Sequence, residues 1–432
     1  MKTNTLRIGM MVAAVAALSV GTVSCRKGCT NPQAINYDSK AKKDDGSCEV
    51  VENTNIVKSG FITSDETWTS DNVYELDGKV IVNAGVTLTI EPGTIIKGQE
   101  GTGTLASALI VARGGMINAE GTASQPIIFT SVLDEIQVGQ TVGSNLEETD
   151  QGKWGGVIIL GYAPISAADG DTETQIEGIP PTDTYGAYGG SNAADNSGIF
   201  SYVSIRHGGA LIGEGNEING LTLGGVGNGT TISNIEIVGN VDDGVEFFGG
   251  TVNATNILVG FQGDDGIDID MNYSGTIENF QVVCGATSDE ALEVDGPEGA
   301  TYMNGMFTLT NGTTYTYGGS GASSDFKSKA QGTVNNVIFG TTQIRASYQN
   351  DCADPKTDAF THLTDASPKL VFTGTQYDNV SVWTGSKNDA GTVSCSVPGV
   401  DQTTAENAIS SSSATGATNN WSWTWMSQKG KL

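Results

Sequence analysis

Hydrophobic and polar residues alternate along Val80-Ile-Val-Asn-Ala-Gly-Val-Thr-Leu-Thr-Ile90, the chain turns at Glu91-Pro-Gly, and apolar residues resume at Thr94-Ile-Ile96. A period of two puts successive side chains on opposite faces of a strand, so this stretch predicts strand, corner, strand. The pattern returns at 108–112, 116–118, 126–130 and 155–160 with glycine punctuation, and no segment sustains a helical period.

The clearest internal repeat lies between 231 and 298. Asn234-Ile-Glu-Ile-Val-Gly-Asn-Val-Asp-Asp-Gly, Asn256-Ile-Leu-Val-Gly-Phe-Gln-Gly-Asp-Asp-Gly and Asn279-Phe-Gln-Val-Val-Cys-Gly-Ala-Thr-Ser-Asp-Glu align, with Asp243, Asp265 and Glu290 in register at steps of 22 and 25 residues. A unit this short cannot bury its apolar side alone, so copies must stack and share an interior. The predicted fold is all-β, a parallel β-helix, with glycine and asparagine at the corners. A propeller blade needs about 40 residues or more, roughly twice this period. Residues 51–345 supply about a dozen coils, a stack roughly 55 to 60 Å long at the ~4.8 Å strand spacing. Two long loops, 133–153 and 167–197, interrupt the coils. The second carries Tyr185 and Tyr188 as candidate ligand contacts, because solenoid loops often bear function.

Composition narrows the function. The 432 residues include 59 glycines and only 21 Lys and Arg against 49 Asp and Glu, a net charge of -28. Nucleic acid is excluded as a partner, because phosphate binding needs a basic footprint. Lys2 and Arg7 precede a short apolar run, 8–20, so residues 1–24 read as a secretion signal. Thr22-Val23-Ser24-Cys25 resembles a bacterial lipobox, which implies lipidation of Cys25 and an outer-membrane anchor; an ordinary cleavable signal is the alternative. Cys29 and Cys48 bracket a phrase that resembles a small module of secreted and surface proteins of Bacteroidetes. A Cys29–Cys48 bridge would restrict the unfolded chain by about 3 kcal/mol. Asn36, Asp44 and Asp45 in this module hold either a calcium ion or a solvated turn. Cys352 and Cys395 are a second candidate pair, which leaves Cys284 buried and unreactive. The expected organisation is a signal at 1–24, the anchor and disulfide module at 25–50, the β-helix at 51–345, and a Ser/Thr/Asn-rich segment with a cap at 346–432.

Three phrases, Tyr202-Val-Ser-Ile-Arg-His-Gly-Gly209, Asn216-Glu-Ile-Asn-Gly-Leu-Thr-Leu-Gly-Gly-Val226 and Asp242-Asp-Gly-Val-Glu-Phe-Phe-Gly-Gly250, resemble a group of β-helical Bacteroidetes envelope proteins, many of them lipoproteins. The resemblance implies a right-handed parallel β-helix and brings little chemistry with it.

Charge patterning supplies the candidate chemistry. Between His207 and Phe326 there are 17 acidic residues and no Lys or Arg. If the repeats stack, Asp242/Asp243, Asp264/Asp265 and Asp289/Glu290 form one acidic column, and Glu246, Asp268 and Glu293 a second, with Asp270 beside it. Two such charges about 5 Å apart repel by ~0.8 kcal/mol in water and ~3 kcal/mol at an effective dielectric near 20. Bound cations, backbone N–H donors or protonated carboxyls are the available answers. Calcium suits an oxygen-only ligand set; a solvated acidic face and a catalytic set are the alternatives.

The catalytic version resembles the first two acidic motifs of polygalacturonase-type glycoside hydrolases, with Asp264 or Asp265 as acid and Asp242 as base. Ala286-Thr287-Ser288-Asp289 stands where that family has His-Gly, and no Arg-x-Lys follows. A calcium-dependent lyase needs a basic residue near the carboxylates, and this stretch contains none. Arg206, the only cation between Trp154 and Phe326, is expected to pair with an acid on a neighbouring coil or to contact an anionic sugar. His207 reads as a turn residue bonded to backbone. Trp421, Trp423 and Trp425 alternate with Ser and Thr, which predicts three indoles on one side of a strand, covering the end of the stack or stacking on sugar. The resulting expectation is an envelope-anchored binding or adhesion module that uses calcium and contacts a glycan or cell-surface partner. A polysaccharide-degrading enzyme is the rival.

Overall fold

The computed structural model describes residues 26–48 except 32, 33 and 35, then 55–212, 217–318, 323–348, 358–378 and 380–432 except 385, 389, 390, 394–398 and 419. The signal segment, Cys25, Cys352 and Cys395 lie outside the described residues. The chain divides into two compact units, Met1–Glu52 and Asn53–Leu432.

In the first unit Cys29 and Cys48 form a disulfide. Asp44 and Asp45 are exposed, and their carboxylates accept the backbone N–H of Gly46 and Ser47. Asn36 donates to the Ser47 carbonyl. These bonds describe a solvated turn.

The second unit is a parallel β-helix. Long strands such as Thr231–Val238, Asn253–Gly260 and Thr276–Cys284 stack in register, and short strands Val245–Phe248, Ile267–Asp270 and Glu290–Val294 stack on another face. The period-two pattern builds the interior. Phe247, Ile269, Val294 and Phe326 form one buried column, and Ile235, Ile257 and Phe280 another. Five successive long strands, from Thr231–Val238 to Gly332–Phe339, bend at an asparagine with positive φ: Asn234, Asn256, Asn279, Asn311 and Asn336. Asparagine tolerates this left-handed conformation, and here its side chain also bridges coils. Asn256 donates to Asn234, Asn279 to Asn256 and Asn336 to Asn311.

Parallel pairing continues past residue 345 through Leu370–Thr373, Gln376–Tyr377 and Val380–Thr384. Helices Ala359–Thr364 and Gln402–Ile409 then close the hydrophobic interior with Ala359, Phe360, Leu363, Ala405 and Ile409. The cap is therefore helical, and the three tryptophans are not part of it. After the second helix the chain runs back along the outside of the stack, where Thr415 meets Asn336, Ala417 meets Thr313 and Thr418 meets Asn279. Trp421, Trp423 and Trp425 lie in a turn and the helix Trp425–Lys429, not a strand, and all three are buried against the flank of the coils. Burial removes the sugar-stacking reading of these indoles.

Candidate functional site

The acidic repeat lies on the short-strand face. Strand register places Thr222, Glu246, Asp268, Glu293, Asp325 and Arg345 one above the next on successive coils. In the turns before these strands, the Asp243 carboxylate accepts the Asp265 N–H at 2.9 Å, and the Asp265 carboxylate accepts the Glu290 N–H at 2.8 Å. The repeated Asp-Asp-Gly has a steric basis. A Cβ on Gly244 would stand 2.6 Å from the Gly266 carbonyl oxygen, and one on Gly266 2.5 Å from that of Ala291. Only glycine lets adjacent coils approach this closely, and the approach aligns the carboxylates.

Both predicted columns therefore exist, and they converge. Single carboxylate oxygens of Asp242, Asp243 and Asp264 lie within 4.8 Å of one another, as do those of Asp243, Glu246 and Asp268, and those of Asp264, Asp265 and Glu290. Asp243, Glu246, Asp265, Asp268 and Glu290 are buried, Asp242 and Asp270 half-buried, and Asp264 and Asp289 exposed. Burial, reinforced by neighbouring carboxylates, pushes Asp243, Glu246 and Asp268 far above the ordinary carboxylate range. Asp242 is pushed up to about 7 by burial and then by Glu177, Asp264 and Glu217. Asp265 is pushed up to about 12, by burial and then by its hydrogen bond with Glu293. Burial, then Asp295 and Glu298, raise Asp270 well above its usual value.

Charge compensation is uneven along the face. Lys327 pairs with Glu293, and the Arg345 guanidinium lies 2.5 Å from both Glu290 and Asp325. Among the described residues, no cationic side chain reaches ion-pair distance of Asp242, Asp243, Glu246, Asp264, Asp265, Asp268 or Asp270. The inner triad has a further polar mismatch. Asp268 is 9% exposed and its Oδ1 has no hydrogen-bond partner among the described residues. The buried Asn219 donates to Glu246 and Thr222, while its own Oδ1 is likewise unpartnered.

Lys327 and Arg345 correct the expectation that no basic residue lies near the carboxylates. They follow the acidic stretch in sequence, and stacking carries them onto it. Burial lowers the Lys327 pKa, but the hydrogen bond and charge of Glu293 outweigh that effect and raise it above the usual lysine value. Lys327 is thus held as an ammonium and is unsuited to abstract a proton.

The glycosidase arrangement also changes. Single carboxylate oxygens of Asp242 and Asp264 lie within 4.8 Å of each other, in a cluster shared with Asp243. Asp265 is 3% exposed and locked to the Glu290 N–H, so it is no acid for a bound sugar.

The three candidate ligand contacts fall elsewhere. Arg206 is fully buried, its Nε bonded to Ser204 and one terminal nitrogen 3.9 Å from Glu236 on the neighbouring coil. This is the intramolecular pairing, and burial excludes a sugar contact. Tyr188 is buried against Phe248, with its hydroxyl on the Met271 sulfur, so it too is no surface contact. Tyr185 is half-buried, with its hydroxyl donating to Asp183 and its ring edge-on to Phe61. His207 adopts positive φ, and its Nδ1 lies 2.8 Å from the Asp150 carbonyl. Cys284 is buried and free. Burial pushes its thiol up to about 12, which suppresses the reactive thiolate.

Together these features define a parallel β-helix with a buried carboxylate ladder along one face. The family described as a pectate-lyase-like β-helix domain matches residues 60–428, and the chain belongs to that family. A 45-residue stretch is 47% identical to ribulose bisphosphate carboxylase/oxygenase activase 1, chloroplastic, of Larrea tridentata. That match covers 10% of this chain and 10% of the activase, so the chain spans about a tenth of its length. No solved structure gives a significant match.

Proposed function

We propose that the chain is an envelope-anchored, polysaccharide-binding β-helix whose acidic face is completed by a divalent cation, with calcium the fitting ion. The anchor at Cys25 comes from the sequence, and membership of the pectate-lyase-like family supports the polysaccharide direction. One observation carries the cation: among the described residues, Asp243, Glu246 and Asp268 converge in a buried cluster that no lysine or arginine pairs with, and Asp268 Oδ1 has no hydrogen-bond partner. Oxygen-only donors from short side chains and an adjacent carboxamide suit calcium, which takes six to eight oxygens at flexible geometry. Asp243, Glu246 and Asp268 would hold the ion, with Asn219 at their edge. It would replace the protons that burial otherwise forces onto these groups. Outside this core, the half-buried Asp242 and the exposed Asp264 would offer carboxyl oxygens to sugar hydroxyls.

The hydrolase reading is weaker because Asp265 is inaccessible and the His-Gly and Arg-x-Lys motifs are missing from the sequence. The lyase reading is weaker because both nearby basic side chains are engaged by carboxylates, Lys327 by Glu293 and Arg345 by Glu290 and Asp325. The test is calcium titration of the EDTA-treated full chain, read by calorimetry and thermal melting, beside binding and product assays on acidic and neutral glycans. Saturable stabilisation lost in Asp268→Asn, with glycan retention and no product, is the expected result. Absence of any calcium effect at millimolar concentration overturns the cation assignment. Turnover abolished by Asp242→Asn overturns the binding assignment in favour of an enzyme.

A further inference from the structure

The closing segment of the chain is bound to the flank of the coils in the way a peptide is bound to a receptor. From Thr415 to Lys431 it contributes no strand to the parallel sheet among the described residues; it is held by side chains that the coils present outward. The floor of its groove is Val238, Leu258, Phe261 and Val283, on which Trp421, Trp425 and Met426 are buried. The Trp421 indole donates to Gln281 at 3.0 Å, and the Trp423 ring meets Tyr202 edge-on at 5.5 Å.

The deepest contact is electrostatic. Glu236 is fully buried, and its carboxylate accepts the backbone N–H groups of Trp425 at 2.9 Å and Met426 at 2.8 Å. The same carboxylate takes the Ser204 hydroxyl at 2.6 Å and faces Arg206. Charge-assisted bonds to two N–H groups fix both the position and the direction of the segment. At the far end Lys429 reaches Glu147 at 3.0 Å and Lys431 reaches Glu148 at 2.6 Å, so a basic end meets an acidic loop. The phrase Tyr202 to Gly209 supplies Tyr202, Ser204, Arg206 and His207 to this surface, with Trp425 edge-on to the His207 ring at 6.0 Å.

We propose that this flank is a peptide-recognition groove for a Trp-x-Trp-x-Trp-Met segment, and that residues 414–432 bind it as a separable ligand, in cis within one chain and in trans when supplied by a second copy. Apolar pockets at alternate indoles, a buried carboxylate on consecutive N–H groups and a charge-matched end are the elements of peptide binding in a groove. Detaching the segment breaks no pairing between strands of the helix, so the coils remain assembled when it leaves. Tethering keeps the cis arrangement dominant by raising the effective concentration.

The experiment uses the full chain with a specific protease site inserted among Ser410–Ser413, cleaved after folding. The nicked protein is expected to keep the segment at high concentration, to lose it on dilution with unchanged far-ultraviolet dichroism, and to bind a fluorescent 414–432 peptide. Trp425→Ala in the peptide should weaken binding at least tenfold, and so should Glu236→Gln in the coils. Because the peptide variant leaves the coils untouched, it separates recognition from folding. Release only together with global unfolding, or failure of the folded, emptied protein to take up the peptide, overturns the proposal. So does equal binding of the wild-type and Trp425→Ala peptides.

Discussion

On the coils that carry residues 290–345, carboxylates meet cations of the same chain: the half-buried Glu293 meets Lys327, while the buried Glu290 and Asp325 share Arg345. On the coils that carry residues 243–268, Asp243, Glu246 and Asp268 meet carboxylates, backbone N–H groups and a carboxamide, and no side-chain cation among the described residues. The backbone is the same on both, a short strand after a tight turn, stacked in register. The difference is therefore chemical. Two covalently attached cations offset most of the charge of Glu290, Glu293 and Asp325 on one stretch, whereas the other is left to protons or to an exchangeable ion, which makes it responsive to its medium.

The largest effect that sharpens this contrast is expected from Arg345→Ala. It leaves Glu290 and Asp325, both largely buried, without their shared guanidinium. Removing one partner of a buried pair costs about 3 kcal/mol, and thermal or denaturant unfolding should show that loss equally with calcium and with EDTA. A loss seen only in EDTA would mean that the two stretches share one charge pool.

Calcium removal comes next. An ion held at about 100 times its Kd stabilises the fold by about 2.7 kcal/mol, so EDTA should lower stability by that order in the parent chain and leave Asp268→Asn almost unmoved. Melting curves of both chains across a calcium series decide it. A calcium response in Asp268→Asn equal to that of the parent would break the assignment of the ion to this triad.

A pH-linked effect follows from the raised carboxyls. Asp242 and Asp295 are each pushed up to about 7, chiefly by burial, against about 3.9 in an unfolded chain. The folded state therefore binds more protons than the unfolded state between those values. Stability contributed by these groups is fully present below pH 4 and is lost as pH rises to 7 and beyond. In EDTA the melting temperature should fall across that window. With calcium, which competes with the protons, the gain over EDTA should grow across the same window. A metal-free protein that became more stable from pH 4 to 7 would refute the burial argument.

Much of this was legible in the chain, for identifiable reasons. The carboxylate ladder could be read because Asp243, Asp265 and Glu290 recur at nearly constant steps and because the following glycines mark close coil contacts. Lys327 and Arg345 escaped the reading because the coil after Val294 is longer, so Glu293 stacks on Asp325 across 32 residues and the period is lost. The indole alternation at 421–425 imitates a strand, but the Thr424 hydroxyl accepts the Ser427 N–H and starts a helix one turn long, which hydrophobic periodicity cannot register. The pairing of Arg206 with an acid on the next coil was legible, whereas Tyr188 looked like a surface contact because the residues that bury it, Phe248 and Met271, lie far away in sequence.

The smallest expected effect, that of Asn256→Gly, tests the part of the molecule that should be indifferent to the acidic face. Asn256 sits at positive φ, donating to Asn234 and accepting from Asn279, in a ladder on the opposite strands of each coil. Asn256→Gly keeps the backbone conformation and removes both side-chain bonds, so its cost should be about 1 to 2 kcal/mol. Asn256→Ala adds the strain of a left-handed alanine and should cost about 1 kcal/mol more. Both losses should be the same at pH 5 and pH 8, and the same with calcium and with EDTA. A calcium-dependent cost at Asn256 would show that the ladder and the carboxylate face move together, and the contrast drawn above would then belong to whole coils instead of to single faces.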